Sequence, residues 1–494
     1  MDIGPHRSNA TVPTGFGRRA HEGRWWAREL RRDESLPSHL ELVEDFFAHP
    51  EGDPRALLYF EWLQRLESGY AVGDFAEEVY ELTHTATPNA AACWRMVERV
   101  EAARHDPDWP YDEDGIRFPA TAGGVDEVDG VDGQAVPPIL PNRLYDRILG
   151  GWLGRCAGCT LGKPLGNGFR WTPGEIRSYL DRADAYPLTD YVPVPSPMPE
   201  GYRLERSWPE STRGRVDGCP RDDALDYTVL GLHLLESHST GFTSADVAGE
   251  WLERLPFMQT YTADRVAYRN LIDGLEPPAT AHYRNPYREW IGGLIRADIY
   301  GYVCPGDPVR AAALAVRDAS ISHTGNGLWA AGWAGALVAA AFTAADASAA
   351  LRTAQRMIPS HSRLAVALGQ VIDDYRAGVD WEQAVATVHA RHDHYHWSHA
   401  IGNACLIAAG ILWGAGDFTL TIALTVQSGW DTDSNGATAG SVAGILSGAG
   451  EIPDHWTGPF HDRLRTAVSG YDNIPISALA RRTFDLARQQ VVSR

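Results

Sequence analysis

The sequence is poor in the features that would mark a secreted, membrane-spanning or nucleic-acid-binding chain. Six cysteines in 494 residues (Cys93, Cys156, Cys159, Cys219, Cys304 and Cys405) are too sparse for a disulfide framework. Met1 to Arg19 contains no apolar run, so no secretory signal is expected. Positive charge is short: 44 Lys and Arg stand against 64 Asp and Glu, a formal net charge of -20. That balance disfavours a protein that tracks phosphate backbones. It suits a chain kept apart by self-repulsion, or one whose carboxylates gather around metal ions. Heptads do not persist, which argues against a long coiled coil, and Val/Ile alternation of strand type is scarce. The uncharged stretch Thr324 to Ala345 is built from Ala and Gly rather than Leu and Ile. It reads as a buried helix rather than a membrane span. The expected compartment is the cytoplasm.

What is present is enough apolar residue, 44%, for a large core, and length enough for two or three domains. Residues 1–117 read as an accessory helical domain. Asp53 caps a helix with Pro54 at its first position and Leu58, Trp62 and Leu66 on one face, ended by Gly69. Leu40, Val43 and Phe47 form a similar stripe, and 91–104 another. Residues 118–141, rich in Gly, Asp, Val and Pro, read as a linker. From 142 to 494 the helical pattern is dense. Asn142 is the expected cap of a helix carrying Leu144, Ile148, Leu149, Trp152 and Leu153. A loop rich in Pro and Gly runs from about Asp184 to Pro220, before a helix at 226–238. Further helices are expected at 262–272, 308–319, 327–345, 349–358, 362–376, 382–390, 400–413, 417–427, 436–447 and 477–490. The fold class is all-α, an orthogonal helical bundle.

The best candidate for chemistry is the run Asp431-Thr432-Asp433-Ser434-Asn435-Gly436. Two carboxylates, a hydroxyl and an amide supply the hard oxygen ligands that Mg²⁺, Mn²⁺ or Ca²⁺ take. The same residues also cap helices well. An EF-hand loop opens on this pattern but needs a glutamate at its twelfth position, which here is Val442. A second acidic cluster, Asp222, Asp223 and Asp226, precedes a helix far upstream. Two such clusters at helix starts are what a split metal site looks like. The run His392 to His399 tempts a zinc reading, but its histidines mostly alternate, and a polar loop at the surface or facing substrate is the simpler expectation. Cys156 and Cys159 lie among small residues and read as core. No G-x-S-x-G, P-loop or dinucleotide fingerprint follows a strand-like run.

Four segments carry a family resemblance. Residues 146–166 (DRILGGWLGRCAGCTLGKPLG) resemble the first core helix of the ADP-ribosylglycohydrolase family. Residues 285–308, 317–331 and 399–440 are similar to a long bacterial branch of it, so that the likeness covers about 142–494. The resemblance implies an all-α fold with two Mg²⁺ or Mn²⁺ ions. It implies metal ligands at Asp431 and Asp433, with Ser434 where the family has threonine. It implies Asp222 and Asp223 for the early half of the centre, in place of a Thr-Asp-Asp-Thr motif. Asp431 and Asp433 would then be catalytic, and His323, Asn403, Gly429 and Trp430 would line the substrate.

Two departures from the family pattern stand out. Arg221 and Ala224 replace both early hydroxyls, or, in a register shifted by one, Ala224 replaces the second acid. Asp223 with Asp226 is then an alternative early pair, and one ion is expected to be weak or absent. At the end of the first helix, Gly166 stands where the family has a glutamate. The expected function is metal-dependent hydrolysis at the anomeric carbon of an ADP-ribosyl or related ribosyl group. The glycine-rich helix after Gly436 offers N–H groups to a phosphate. Two alternatives stay open: a repurposed or biosynthetic enzyme on an NAD-derived or nucleotide-like small molecule, and a non-catalytic ADP-ribose binder.

Overall fold

A computed structural model of the chain describes residues 53–85, 89–111, 113, 139–168 and 170–492. The stripe Leu40, Val43 and Phe47 and most of the expected linker lie outside them. The described residues are mainly helical, and their only paired strands are the two-residue pieces Arg463–Leu464 and Ile474–Pro475. The fold is all-α.

Local chemistry fixes many helix starts. The Asp53 carboxylate accepts from the Arg55 N–H at 2.9 Å to open the helix Pro54–Glu67. Thr243 and Asp246 cap each other reciprocally at Ser244–Arg254. Asp307, Asp346, Ser362, Asp380 and Asp417 each cap the helix that follows. Each such cap is worth about 1 kcal/mol. The expected cap at Asn142 is displaced: Pro141 is the first helical residue, and Leu140 precedes it without a side-chain bond. Proline is already set for the first turn and needs no donor there. The expected loop at 184–220 contains one short helix, Trp208–Ser211.

Helices Pro54–Glu67, Ala76–Thr83 and Ala90–Glu101 enclose an apolar cluster of their own. Ala263, Val266, Tyr287 and Trp290 of the larger body complete it. A buried polar knot ties the same two parts together. Arg363 grips both oxygens of Glu289 at 2.9 and 2.7 Å, while Gln64 and Ser68 donate to Glu289 from the N-terminal helix. In the larger body, Gly325–Ala341 is buried along nearly its whole length. No helix among the described residues is long and apolar enough to cross a membrane.

One helix pair positions everything that follows. The first core helix, Pro141–Gly162, lies against the late helix Thr432–Ser447 with backbone on backbone. A methyl placed on Gly150, Gly154 or Gly158 would sit 2.1, 2.1 or 1.9 Å from the carbonyl oxygen of Gly444, Gly440 or Gly436. The spacing of four puts these glycines on one face of each helix. Only glycine allows so close an approach. At the end of the seam, Thr432 Oγ1 donates to the Gly162 carbonyl at 2.8 Å. The late helix thus begins at Thr432, not at Gly436 as expected. Gly436 faces Gly158 in the seam, so its backbone is not offered to a phosphate.

Candidate functional site

The seam delivers Lys163 and Gly166 to the start of the late helix. That start is a sharp turn. Gly429 and Trp430 both adopt left-handed backbone, with φ of 80° and 58°, and Asp431 then precedes the first helical turn. Glycine takes such a conformation freely, whereas tryptophan does so at a cost. Asn403 braces the turn. Its Oδ1 accepts from the Asp431 N–H at 3.3 Å and from Asn435 Nδ2 at 2.8 Å, and its Nδ2 donates to the carbonyls of Trp397 and His399. The Trp430 ring lies over Gly402, where a methyl would come within 2.3 Å of it, and 4.2 Å from the His389 ring.

The early cluster comes to the same place. Asp222 caps the helix Asp223–His238, its Oδ1 accepting from the Ala224 N–H at 3.0 Å. Its Oδ2 accepts from Lys163 Nζ at 2.8 Å, and Lys163 donates also to the Arg221 carbonyl at 2.8 Å. Burial alone would raise the Asp222 pKa, but the Lys163 ammonium overrides it and holds the carboxylate below its usual range.

The other three acids lack that partner. Burial, with Asp222 and Asp431 nearby, pushes Asp433 well above the carboxylate range. Burial and Asp222 do the same to Asp223, against the opposing pull of Arg221. Asp431 is pushed up to about 6, chiefly by burial. Asp223 and Asp433 are hemmed in by protein yet remain partly exposed, so a solute can reach them. Among the described residues no three His, Cys, Asp or Glu side chains converge on a single point. Asp223, Asp431 and Asp433 nevertheless bring surplus negative charge and hard oxygen donors, the donor chemistry a divalent cation takes, and the Ser434 hydroxyl bonds Asp431.

A family model described as ADP-ribosylglycohydrolase matches residues 140–491. The chain belongs to the ADP-ribosylglycohydrolase family. A solved structure titled "ADP-ribosylglycohydrolase-related protein complex" is 20% identical and covers 70% of this chain and 99% of its own, with a TM-score of 0.45. No curated protein matches. Membership of the ADP-ribosylglycohydrolase family indicates chemistry of the glycohydrolase type, and it gives the acidic cluster its context.

The early acids differ in what they meet. Asp222 and Asp223 interact electrostatically with Asp431 and Asp433, whereas Asp226 is held elsewhere. Its Oδ2 accepts from Arg221 at 2.7 Å, and its Oδ1 from Thr466 Oγ1 and the Ala467 N–H. Gly166 abuts Asp433: a Cβ there would lie 2.7 Å from Asp433 Oδ1. The position of the family's glutamate therefore opens directly onto the late carboxylate.

Three expectations need correction. His323 is not brought to the cluster. It is buried, its Nδ1 against Ser322 Oγ at 2.8 Å and its Nε2 accepting from the Gly293 N–H, beside the Asp264–Arg296 ion pair. Asn403 is likewise fully buried and acts on the backbone of the acidic turn rather than on a solute. The histidine run is also not a surface loop. His392, His394, His396 and His399 are buried, with His396 stacked on Trp290 at 3.9 Å and His399 on Tyr395 at 4.1 Å. All six cysteines are buried and free.

The residue that sequence reasoning missed is Lys163. Its signal was position alone: it follows the last glycine of the i, i+4 series, one residue past the seam.

Proposed function

We propose that the protein is a cytoplasmic, metal-dependent hydrolase that cleaves the bond at the anomeric carbon of an ADP-ribosyl or related ribosyl group. The observation that carries this reading is the meeting of Asp222 and Asp223 with Asp431 and Asp433, in a chain of this family. The donor set suits Mg²⁺ or Mn²⁺, which when bound would supply positive charge to polarise water and the ribose hydroxyls.

The chain's own groups do the rest. Departure of the leaving group builds positive charge on the ribose ring. Asp431 and Asp433 face that charge in a low-dielectric recess, where fixed carboxylates act strongly. Trp430 stacks on a ring of the substrate, its own ring fixed by Gly402 and His389.

The test is release of ADP-ribose from modified peptides and from small ribosylated compounds, with Mg²⁺ or Mn²⁺ supplied. Asp431→Asn with Asp433→Asn should abolish it, and activity surviving that double change would refute the reading. Gly166 and the altered early motif at Arg221 and Ala224 motivate a second reading within the same chemistry, an NAD-derived or nucleotide-like small molecule rather than a protein as substrate. Turnover of the small compounds with every modified peptide left intact would select it.

A further inference from the structure

The chain that follows the first core helix runs along the lip of the acidic turn. A Cβ on Gly166 would lie 2.7 Å from Asp433 Oδ1, one on Gly168 would lie 3.0 Å from the Trp430 Cα, and one on Gly429 would lie 3.2 Å from the Trp171 carbonyl oxygen. Arg170 stands in this stretch, its N–H donating to the Asn167 carbonyl at 3.0 Å and to Asn167 Oδ1 at 3.3 Å. The loop at 184–220 brings two more arginines. The Glu205 N–H donates to the Pro164 carbonyl at 2.9 Å, and Ser207 Oγ donates to the Lys163 carbonyl at 3.0 Å. These bonds pin Arg203 and Arg206 beside the same lip, and both side chains are exposed. Glu205 is the acid among them. Its Oε1 accepts from Arg170 Nη1 at 3.3 Å, and all three guanidinium groups pull on its carboxylate. One acid against three arginines leaves surplus positive charge here, in a chain whose net charge is -20. The Arg170 side chain is half-exposed, so a solute can reach it.

We infer that Arg170, Arg203 and Arg206 hold a phosphoryl group of the substrate, so that the protein takes phosphorylated ribosyl compounds and passes over neutral nucleosides. This rests on the hydrolase reading above and narrows its substrate class. Floor and lip of the recess carry opposite charge. The carboxylates suit ribose hydroxyls and the positive charge that builds on the ring, whereas guanidinium groups suit phosphoryl oxygens, which they can take two at a time. Gly436, where the sequence led us to expect a phosphate, is taken up by the seam. The arginine lip supplies donors in its stead.

The experiment is calorimetric titration of the full chain with ADP-ribose, ribose 5-phosphate and adenosine, at low and high salt. The wild type should bind both phosphorylated ligands, more weakly at high salt. Arg170→Gln, Arg203→Gln and Arg206→Gln together should weaken both by about tenfold or more and leave adenosine as in the wild type. Arg99→Gln, which removes an exposed arginine paired with Glu78 in the N-terminal helices, is the control and should change none of the three. Unchanged affinity in the triple variant would overturn the inference. So would an equal loss for adenosine, or a wild type that binds neither phosphorylated ligand. Turnover separates this inference from the hydrolase reading. A wild type that binds ADP-ribose through these arginines, yet cleaves no ribosyl compound, refutes the hydrolase alone. A wild type that cleaves ADP-ribosyl compounds with a KM unmoved by the triple change refutes the arginine lip alone.

Discussion

Replacing Gly158 with alanine tests whether the glycine seam is what holds the site together. The new methyl would stand 1.9 Å from the Gly436 carbonyl oxygen and 2.5 Å from its carbon. Both obstacles are backbone, so no side chain can rotate aside. Reaching an ordinary 3.4 Å contact requires the two helices to part by about 1.5 Å. Overpacking of this kind costs about 1–3 kcal/mol. The same opening breaks the 2.8 Å bond from Thr432 Oγ1 to the Gly162 carbonyl, costing about 1 kcal/mol more. Alanine returns about 1 kcal/mol through its better helix propensity. The expected net loss is about 2 kcal/mol. Urea unfolding should show a lower midpoint at an unchanged slope. Gly249 supplies the internal control. It lies in the helix Ser244–Arg254, and a methyl there meets nothing within 4 Å. Gly249→Ala should therefore stabilise by about 0.5–1 kcal/mol. If Gly158→Ala stabilises as Gly249→Ala does, the seam is not close-packed and the reasoning fails.

Other outcomes follow from named contacts. Glu289→Gln breaks a buried ion pair with Arg363 and loosens Gln64 and Ser68, so it should cost about 3–5 kcal/mol by chemical unfolding at neutral pH. Burial works against the Glu289 carboxylate, yet Arg363 and His399 hold its pKa well below the ordinary value. Its stabilisation is therefore complete above the unfolded value near ~4.3, and the gap between variant and wild type should narrow only as pH falls below that. A gap that narrows as pH rises through neutrality would contradict the assignment. Gly402→Ala drives a methyl into the Trp430 ring and should raise KM for the ribosyl substrate more than it lowers kcat. Steady-state kinetics at saturating Mn²⁺ checks it, and an unchanged KM would remove Trp430 from the binding surface. Asn403→Ala leaves the Asp431 N–H and the Asn435 amide without their acceptor, with an expected loss of about 1–3 kcal/mol and weaker Mn²⁺ binding. Calorimetric titration would show whether both effects occur together.

Much of the fold was legible because the helices announce themselves locally. The spans 262–272, 308–319 and 400–413 agree with the observed helices residue for residue. Apolar periodicity and caps carry that information. The start of the late helix was misplaced because Asp433, Ser434 and Asn435 resemble residues that precede a helix. In the structure they occupy its first turn instead. The glycines at 150, 154, 158 and 162 were visible, but glycine counts against a helix until a partner is known. That partner lies near the other end of the chain. The burial of the histidine run could not be read either, because it depends on Trp290, more than a hundred residues away. At the site, the carboxylates were found by type and spacing. Lys163 was not, because a lone lysine after a glycine gives no sign of which acid it will meet.

The seam also sets a timetable. Gly162 and Thr432 are separated by 270 positions in the chain. At ~5–20 residues per second, a ribosome makes the second helix on the order of tens of seconds after the first. During that interval the glycine face of the first helix has no occupant, and Lys163 waits without the late acids. A nascent chain interrupted before Asp431 would carry only the early half of its centre, Asp222 and Asp223. Assembly of the centre is thus a late event, and metal added during translation should leave the earlier stages of folding unaffected.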